Sequence, residues 1–158
     1  MDTPALPPLP ACPSPGLYRH CKGQWYEVLG TARCSETLQG MTVYRALYGP
    51  ATLPEDTWVR PAAMFAETVQ HQGRTQPRFE PHNPDTLPLR DAATARAVGL
   101  VLGRRAALAG HTPRPLPPEP TSCCGRGCQG CVWEGYFQAM QWWREDVQQT
   151  LDKPAHCP

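Results

Sequence analysis

The 158-residue sequence has no long apolar run. A transmembrane helix needs roughly 18 consecutive apolar residues, so we expect no membrane span. A basic start followed by an apolar stretch is also missing, and we therefore expect no signal peptide and a cytoplasmic protein. The formal net charge is only +1, which leaves no strong excess of one sign to attract nucleic acid or lipid.

Sequence motifs of catalysis are missing as well. The chain contains no G-x-G-x-x-G loop of the kind that binds dinucleotides. The spacing of its side chains shows neither an acid–base pair nor a nucleophile next to a base. We therefore name no catalytic residue and favour a binding protein over an enzyme.

Proline and glycine are abundant, with 20 and 13 residues. The prolines concentrate at 4–16, 50–61, 81–88 and 113–120, where they separate structural units. The predicted layout is a disordered tail at 1–15, a small β domain at 16–80, a linker at 81–120 with a helix at about 90–109, a cysteine-rich module at 121–152 and a tail at 153–158.

Residues 16–80 have the pattern of short strands. Alternating side chains at 25–34 predict a half-buried strand, and the apolar residues of 41–49 predict the central strand of the domain. Pro61 favours one helical turn at 62–65. Five or six short strands with a late helical turn are typical of a small SH3-like barrel or roll.

Five aromatic residues of this domain are predicted to pack in its core and rim: Tyr18, Trp25, Tyr44, Tyr48 and Trp58. For Trp58 we predict packing on the barrel rather than a role as a ligand platform. Basic and acidic residues nearly balance within 16–80, which disfavours nucleic acid as a partner. The sequence leaves open whether this domain binds a protein or a small ligand. We interpret His20 as a structural histidine.

Several blocks of this domain resemble a bacterial family, domain of unknown function 1653. The blocks are 18–23, 26–30, 35–37, 43–49, 58–61, 64–65 and 77–79. The resemblance covers residues 16–80 and implies a small β domain, but no established activity. The family usually has an aromatic residue at the position of Cys21 and often a histidine at that of Cys34.

An alanine-rich helix is predicted after the β domain. Asp91 stands at its start and Gly110 at its end. Gly99 and Gly103 weaken it, although their spacing would let another backbone come close. Five prolines between 112 and 120 predict an extended spacer.

Four of the eight cysteines lie within nine residues: Cys123, Cys124, Cys128 and Cys131. In a reducing compartment such clusters bind metal or act as redox thiols rather than forming disulfides. The Cys128-x-x-Cys131 spacing lets both thiolates face one ion. Because two adjacent cysteines do not easily bind the same ion, the fourth ligand would be the second of the pair, His156 or Cys157, or a residue of another chain.

Several chemistries fit this cluster. A structural zinc knuckle and an iron–sulfur cluster both use cysteine thiolates, and free redox thiols or a disulfide also remain open. The spacing from Cys124 through Cys128 to Cys131 also matches radical-SAM enzymes, but the chain is too short for their large barrel.

A second helix is predicted to start near Trp133. An apolar stripe recurs along it at Tyr136, Met140, Trp143, Val147 and Leu151. Since so short a module has little core of its own, we expect the stripe to pack on the knuckle or on a partner, and metal to order the helix.

Residues 117–152 resemble the oxidoreductase-like domain family through their cysteines and the following Val132-Trp133. Members of that family occur near oxidoreductases or as small separate proteins. The sequence therefore predicts a two-module binding protein with zinc or an iron–sulfur cluster at the cysteines. The alternative is an iron–sulfur or dithiol redox protein that serves a separate oxidoreductase.

Overall fold

A computed structural model of the chain describes residues 6, 8–9, 11–49, 57–122 and 131–153. The chain divides into two compact units, Met1–His82 and Asn83–Pro158. We call them the first unit and the second unit and describe each by itself. The described strands lie in the first unit and the two long helices in the second. The prediction of a mainly β part followed by helices is thus confirmed in outline.

The first unit has seven strands among its described residues. They are β1 Gly16–His20, β2 Trp25–Arg33, β3 Gly40–Ala46, β4 Thr57–Pro61, β5 Thr68–His71, β6 Arg74–Pro77 and β7 Phe79–His82. Five of them form an antiparallel sheet in the order β4-β3-β2-β1-β7, and β5 pairs with β6 in a hairpin. This hairpin turns at Gln72-Gly73, where both residues have positive φ and glycine fits without strain.

Two expectations about the sheet need correction. The middle strand is β2, whereas the strand predicted as central is β3, second from one edge, because β1 and β7 both add to the far side of β2. The edge strands β4 and β7 do not pair with each other among the described residues, so the sheet stays open there. The predicted SH3-like barrel is therefore not confirmed.

One aromatic cluster of the first unit lies on a single face of the sheet. Residues that face each other across antiparallel strands point to the same side, and the register places Tyr18 opposite Tyr26 and Val28 opposite Tyr44. The buried residues of this cluster are Tyr18, Val28, Tyr44, Phe65 and Phe79. This face therefore holds most of the aromatic residues of the unit.

A single helical turn completes this core. Pro61 ends β4 and, because its ring restricts φ, leads directly into α1 Ala62–Phe65. The ring of Phe65 stacks on that of Phe79 with the centroids 4.0 Å apart. The helical turn predicted at 62–65 is confirmed.

The predicted packing of Trp58 is wrong. Trp58 pairs with Tyr44 in the register of β3 and β4, but 58% of its surface is exposed because β4 is an edge strand. Tyr48, which follows β3, is also exposed. Tyr18, Trp25 and Tyr44 are buried, as expected.

The second unit contains α2 Ala92–Leu108 and α3 Val132–Leu151. Asp91 caps α2, since its carboxylate accepts the Thr94 amide hydrogen at 2.8 Å and the Thr94 hydroxyl at the same distance. Gly110 follows the helix with a φ of +80°. The structure thus confirms both helices within a few residues of the predicted ends.

The apolar stripe of α3 packs against α2. Tyr136, Met140, Trp143 and Val147 are buried as predicted. Tyr136 and Met140 form a cluster with Ala95 of α2, and Leu116 packs against this cluster from the proline-rich segment. The helix therefore has a core partner within its own chain.

The segment predicted as a polyproline spacer at 112–120 is held by side chains of both helices. The indole nitrogen of Trp143 donates a hydrogen bond to the Arg114 carbonyl at 2.8 Å. Arg96 of α2 donates two hydrogen bonds of 2.6 Å to the Glu119 carboxylate. The extended segment therefore packs together with α2 and α3.

Alanine substitutions at the two glycines of α2 should have different effects on stability. A Cβ atom at Gly99 would lie 2.5 Å from the Leu116 Cδ2 atom, whereas at Gly103 the nearest atom, on Trp143, would be 3.8 Å away. Both changes to alanine gain about 1 kcal/mol of helix propensity, but Gly99→Ala also overpacks the core at a cost of about 1–3 kcal/mol. Gly103→Ala should therefore be the more stable variant by that difference, measured by urea unfolding followed by circular dichroism. Equal stability of the two would contradict the packing of Leu116 on α2.

Within the part of the chain that the structure describes, no helix combines the length and the apolar character needed to cross a bilayer.

Candidate functional site

One of the four clustered cysteines, Cys131, lies in the described part of the second unit. It is the residue before α3, and its carbonyl accepts the amide hydrogens of Glu134 at 3.0 Å and Gly135 at 3.2 Å. Its half-buried thiol is free and makes no capping hydrogen bond to a described residue. The other predicted ligands, Cys123, Cys124 and Cys128, and the candidates His156 and Cys157 lie outside the described residues.

Cys131 lies directly before the first turn of α3. Metal ions bind the thiolate form of cysteine. The ligand role of Cys131 remains a prediction.

Aromatic side chains follow directly on this position. The rings of Trp133, Tyr136 and Phe137 lie with centroids 5.4–6.1 Å apart. Burial, and then the nearby Glu119 carboxylate, raise the pKa of Tyr136, so its phenol stays neutral. The first two turns of α3 thus carry an aromatic cluster that follows Cys131 directly in the sequence.

The first unit has a cleft between the β1–β2 turn and the β5–β6 hairpin, with a volume of about 440 Å³. We call it the histidine cleft. It is lined by Arg19, His20, Cys21, Lys22, Gly23, His71, Gln72, Gln76, Pro77 and Glu80. Both strand pairs contribute side chains, so the cleft depends on how the hairpin packs against the sheet.

His20 lies at the junction of this cleft and the aromatic core. Its ring is in edge contact with Phe79, with centroids 4.8 Å apart, and its Nδ1 atom accepts the Lys22 amide hydrogen at 3.2 Å. That hydrogen bond leaves Nε2 as the protonated nitrogen of the neutral ring.

The surroundings of His20 lower the pKa of its imidazole. Burial is the largest cause, and positive charge is the second. The charges that act in this direction belong to Arg78, Lys22, Arg60 and His71. His20 is therefore neutral at physiological pH and lies in a positive electrostatic field.

Two further cleft residues carry reactive groups. The Cys21 thiol is 3.8 Å from the His20 Nδ1 atom, and His71 Nδ1 is 3.3 Å from the Gln76 amide nitrogen. In the described part of the chain, no three His, Cys, Asp or Glu side chains are arranged to hold a metal ion. The described geometry of the cleft therefore does not support metal binding there.

Cys34 lies in the connection between β2 and β3. The Thr37 hydroxyl, and then the amides of Thr37 and Glu36, donate hydrogen bonds that lower the pKa of the Cys34 thiol. This thiol is half-buried and belongs to neither the cysteine cluster nor the lining of the histidine cleft.

The sequence did not single out the histidine cleft. His20 was taken as structural, and nothing in the linear spacing connects it with His71, which lies about 50 residues further on. The two residues line the same cleft because the β5–β6 hairpin returns to the β1–β2 turn. Lys22, Gln76 and Glu80 were missed for the same reason.

Comparison with known proteins confirms both resemblances. Residues 16–81 match a family model described as protein of unknown function (DUF1653). Residues 107–152 match a model described as oxidoreductase-like protein, N-terminal. The second match begins in α2, earlier than the resemblance at 117–152 indicated. Each compact unit contains one of the two matches.

Two individual proteins are similar to parts of this chain. Over 39 residues it is 38% identical to the UPF0651 protein YPL107W, mitochondrial, of Saccharomyces cerevisiae, a stretch that is 25% of this chain and 16% of the yeast protein. A crystal structure of a DUF1653 protein from Bordetella bronchiseptica is 40% identical, with a TM-score of 0.39. That match covers 44% of this chain and 86% of the Bordetella chain.

Proposed function

We propose that the protein is a non-enzymatic binding protein with two modules. In this proposal the β module at 16–80, an SH3-like roll, holds a ligand or partner, and the cysteine-rich module at 121–152 holds a metal. The proposed metal ligands are Cys123, Cys124, Cys128 and Cys131. A reducing compartment such as the cytoplasm, which we propose as the location, would keep these thiols available.

The observation that carries the metal half is the place of Cys131. Its carbonyl already accepts the first amide hydrogens of α3, so an ion bound to its thiolate would be joined directly to the start of that helix. Zinc and iron–sulfur clusters are the groups that such thiolates bind well. The metal would fix the segment that enters α3, while the apolar stripe fixes the rest of the helix on α2.

A redox protein is the second candidate, and the match to an oxidoreductase-like family favours it. The same four cysteines would then hold an iron–sulfur cluster, or work as a dithiol, for a separate oxidoreductase. Colour distinguishes an iron–sulfur cluster from zinc or a dithiol, since of these only the cluster absorbs visible light, and a coloured protein would favour the redox candidate.

Metal analysis of the full chain, purified without oxygen or chelator, tests the proposal. We expect stoichiometric zinc or iron, and loss of most of that metal in Cys131→Ser. Because Tyr136 and Met140 pack in a cluster with Ala95, hydrogen exchange should rise in the first turn of α3 rather than along the whole helix.

Cys34→Ser is the matched control, because Cys34, like Cys131, is half-buried but lies in the other unit. It should leave the metal content unchanged. The metal half of the proposal fails if Cys131→Ser keeps the full metal content. It also fails if the parent protein carries neither metal and takes up neither when it is added.

A further inference from the structure

We propose that the histidine cleft binds a small organic anion through its phosphate or carboxylate group. This inference rests on the binding role proposed for the first unit and names the ligand class. It does not depend on the cysteines, so the metal analysis above tests the other half of the function separately.

The charges around the cleft favour an anion. Arg19 and Lys22 line it. Arg60 of β4 and Arg78, directly before β7, also act on His20. Glu80 is the carboxylate among the lining residues, and its Oε2 atom lies 3.6 Å from the His82 Nε2 atom. Glu67 directly precedes the β5–β6 hairpin in the sequence and forms an ion pair with Arg78. Positive groups therefore exceed negative ones around His20.

Hydrogen-bond donors are available beside these charges. The side chains of Gln72 and Gln76 line the cleft with Lys22 and both imidazoles. Since Nδ1 of His20 already accepts the Lys22 amide hydrogen, Nε2–H is the donor of that ring, and the Cys21 Sγ atom lies 4.0 Å from Nε2. Phosphates and carboxylates are bound in proteins by such combinations of cationic and neutral donors.

The size and charge pattern favour a small molecule over a polymer. The cleft is about 440 Å³, within the usual range for small-ligand sites. Acidic and basic residues nearly balance in the whole β module, whereas nucleic-acid-binding domains usually carry a clear basic excess.

Anion binding and protonation of His20 should reinforce each other. The cations that lower the pKa of His20 would be partly neutralised by a bound anion, so binding should raise that pKa. By linkage, the affinity should increase as the pH falls through the pKa of His20. His71 lines the same cleft and is a second imidazole that acts on His20, so His20 must be observed individually.

The experiment is a titration of the full chain with inorganic phosphate and, separately, with citrate, each against sodium chloride at matched ionic strength. Calorimetry gives the affinity, and the imidazole resonances of His20 give its pKa. We expect saturable binding of one or both anions and a higher pKa of His20 in the complex. Preference for phosphate or citrate identifies which group the natural ligand carries.

Charge variants locate the site. Lys22→Glu should weaken binding by about fivefold or more, since it replaces a charged donor by a repulsive carboxylate. Glu80→Gln should strengthen binding, because it removes a carboxylate from the lining. Lys153→Glu makes the same charge change in the second unit, outside the cleft, and should have no effect.

Three results would overturn the inference. One is the absence of saturable binding to both anions. Another is binding that Lys22→Glu and Lys153→Glu weaken equally, which would indicate a diffuse charge effect. The third is a short single-stranded oligonucleotide that binds the cleft far more tightly than phosphate, which would make the ligand a polymer.

Discussion

Replacing Phe65 with alanine should lower the free energy of unfolding of the first unit by about 3–5 kcal/mol, the usual cost of truncating a buried phenylalanine. Only 1% of Phe65 is exposed. Its ring stacks on Phe79 and is in edge contact with Tyr18 and Tyr44, at centroid distances of 5.5 and 5.4 Å. The alanine variant would lose all three ring contacts and leave a cavity beneath α1.

Trp58→Ala is the control for this prediction. The tryptophan side chain is larger than that of Phe65 and lies on β4, the strand directly before α1. It is mostly exposed, because β4 is an edge strand. We expect a cost of less than about 1 kcal/mol, as for surface substitutions in general. Hydrogen exchange of the β2 and β3 amides in the full chain measures both effects. If Trp58→Ala proves as costly as Phe65→Ala, a further part of the protein or a partner covers that edge.

Arg144→Ala should destabilise the second unit by about 2–4 kcal/mol, since it leaves buried carbonyl groups unpaired and removes a packed side chain. Arg144 is 6% exposed, although it lies on a helix of a small unit. Its Nη1 atom donates to the carbonyls of Leu87 at 2.6 Å and Pro84 at 3.4 Å, and Nη2 donates to the Gln141 side chain.

Arg144 thus joins α3 to the chain that leads into α2. Burial lowers the pKa of its guanidinium, while Asp85 and Glu145 partly oppose this change. Arginine nevertheless remains charged in proteins. Its contribution to stability comes from the hydrogen bonds that it donates to the carbonyl groups of Pro84 and Leu87.

Arg105→Ala is the matched control, because Arg105 holds the same segment from α2. It bonds the Asp85 carboxylate at 3.0 and 3.1 Å, but its side chain is 42% exposed. An exposed ion pair contributes about 0–1 kcal/mol to stability, so we expect Arg105→Ala to lower the free energy of unfolding only slightly. Urea unfolding followed by circular dichroism compares the two variants. Similar losses would show that Arg144 acts through its charge alone.

The local sequence determined most of the secondary structure. Pro61 placed the helical turn at 62–65 because its ring restricts φ and it lacks an amide hydrogen. Asp91 placed the start of α2 because its carboxylate satisfies a free amide of the first turn. The spacing of Tyr136, Met140, Trp143 and Val147 placed the buried face of α3, since residues three and four apart share one side of a helix.

Strand order and exposure were decided by the tertiary structure. Composition shows that 41–49 and Trp58 suit a strand, but it does not say which strands lie at an edge. Pairing of β1 with β7 brings together residues about 60 positions apart, and that pairing moved the centre of the sheet to β2. The exposure of Trp58 follows from the edge position of β4 and from nothing in its neighbouring residues.

The tertiary structure also determined which residues surround Cys131 and the histidine cleft. The sequence located the cysteines from their spacing alone, but it left α3 without a core, because its contacts with Ala95 and Leu116 are distant in the chain. The histidine cleft had no sequence signal, since a cleft between a turn and a hairpin has no periodicity. Local geometry can be read from neighbouring residues, whereas a cleft depends on which distant segments pack together.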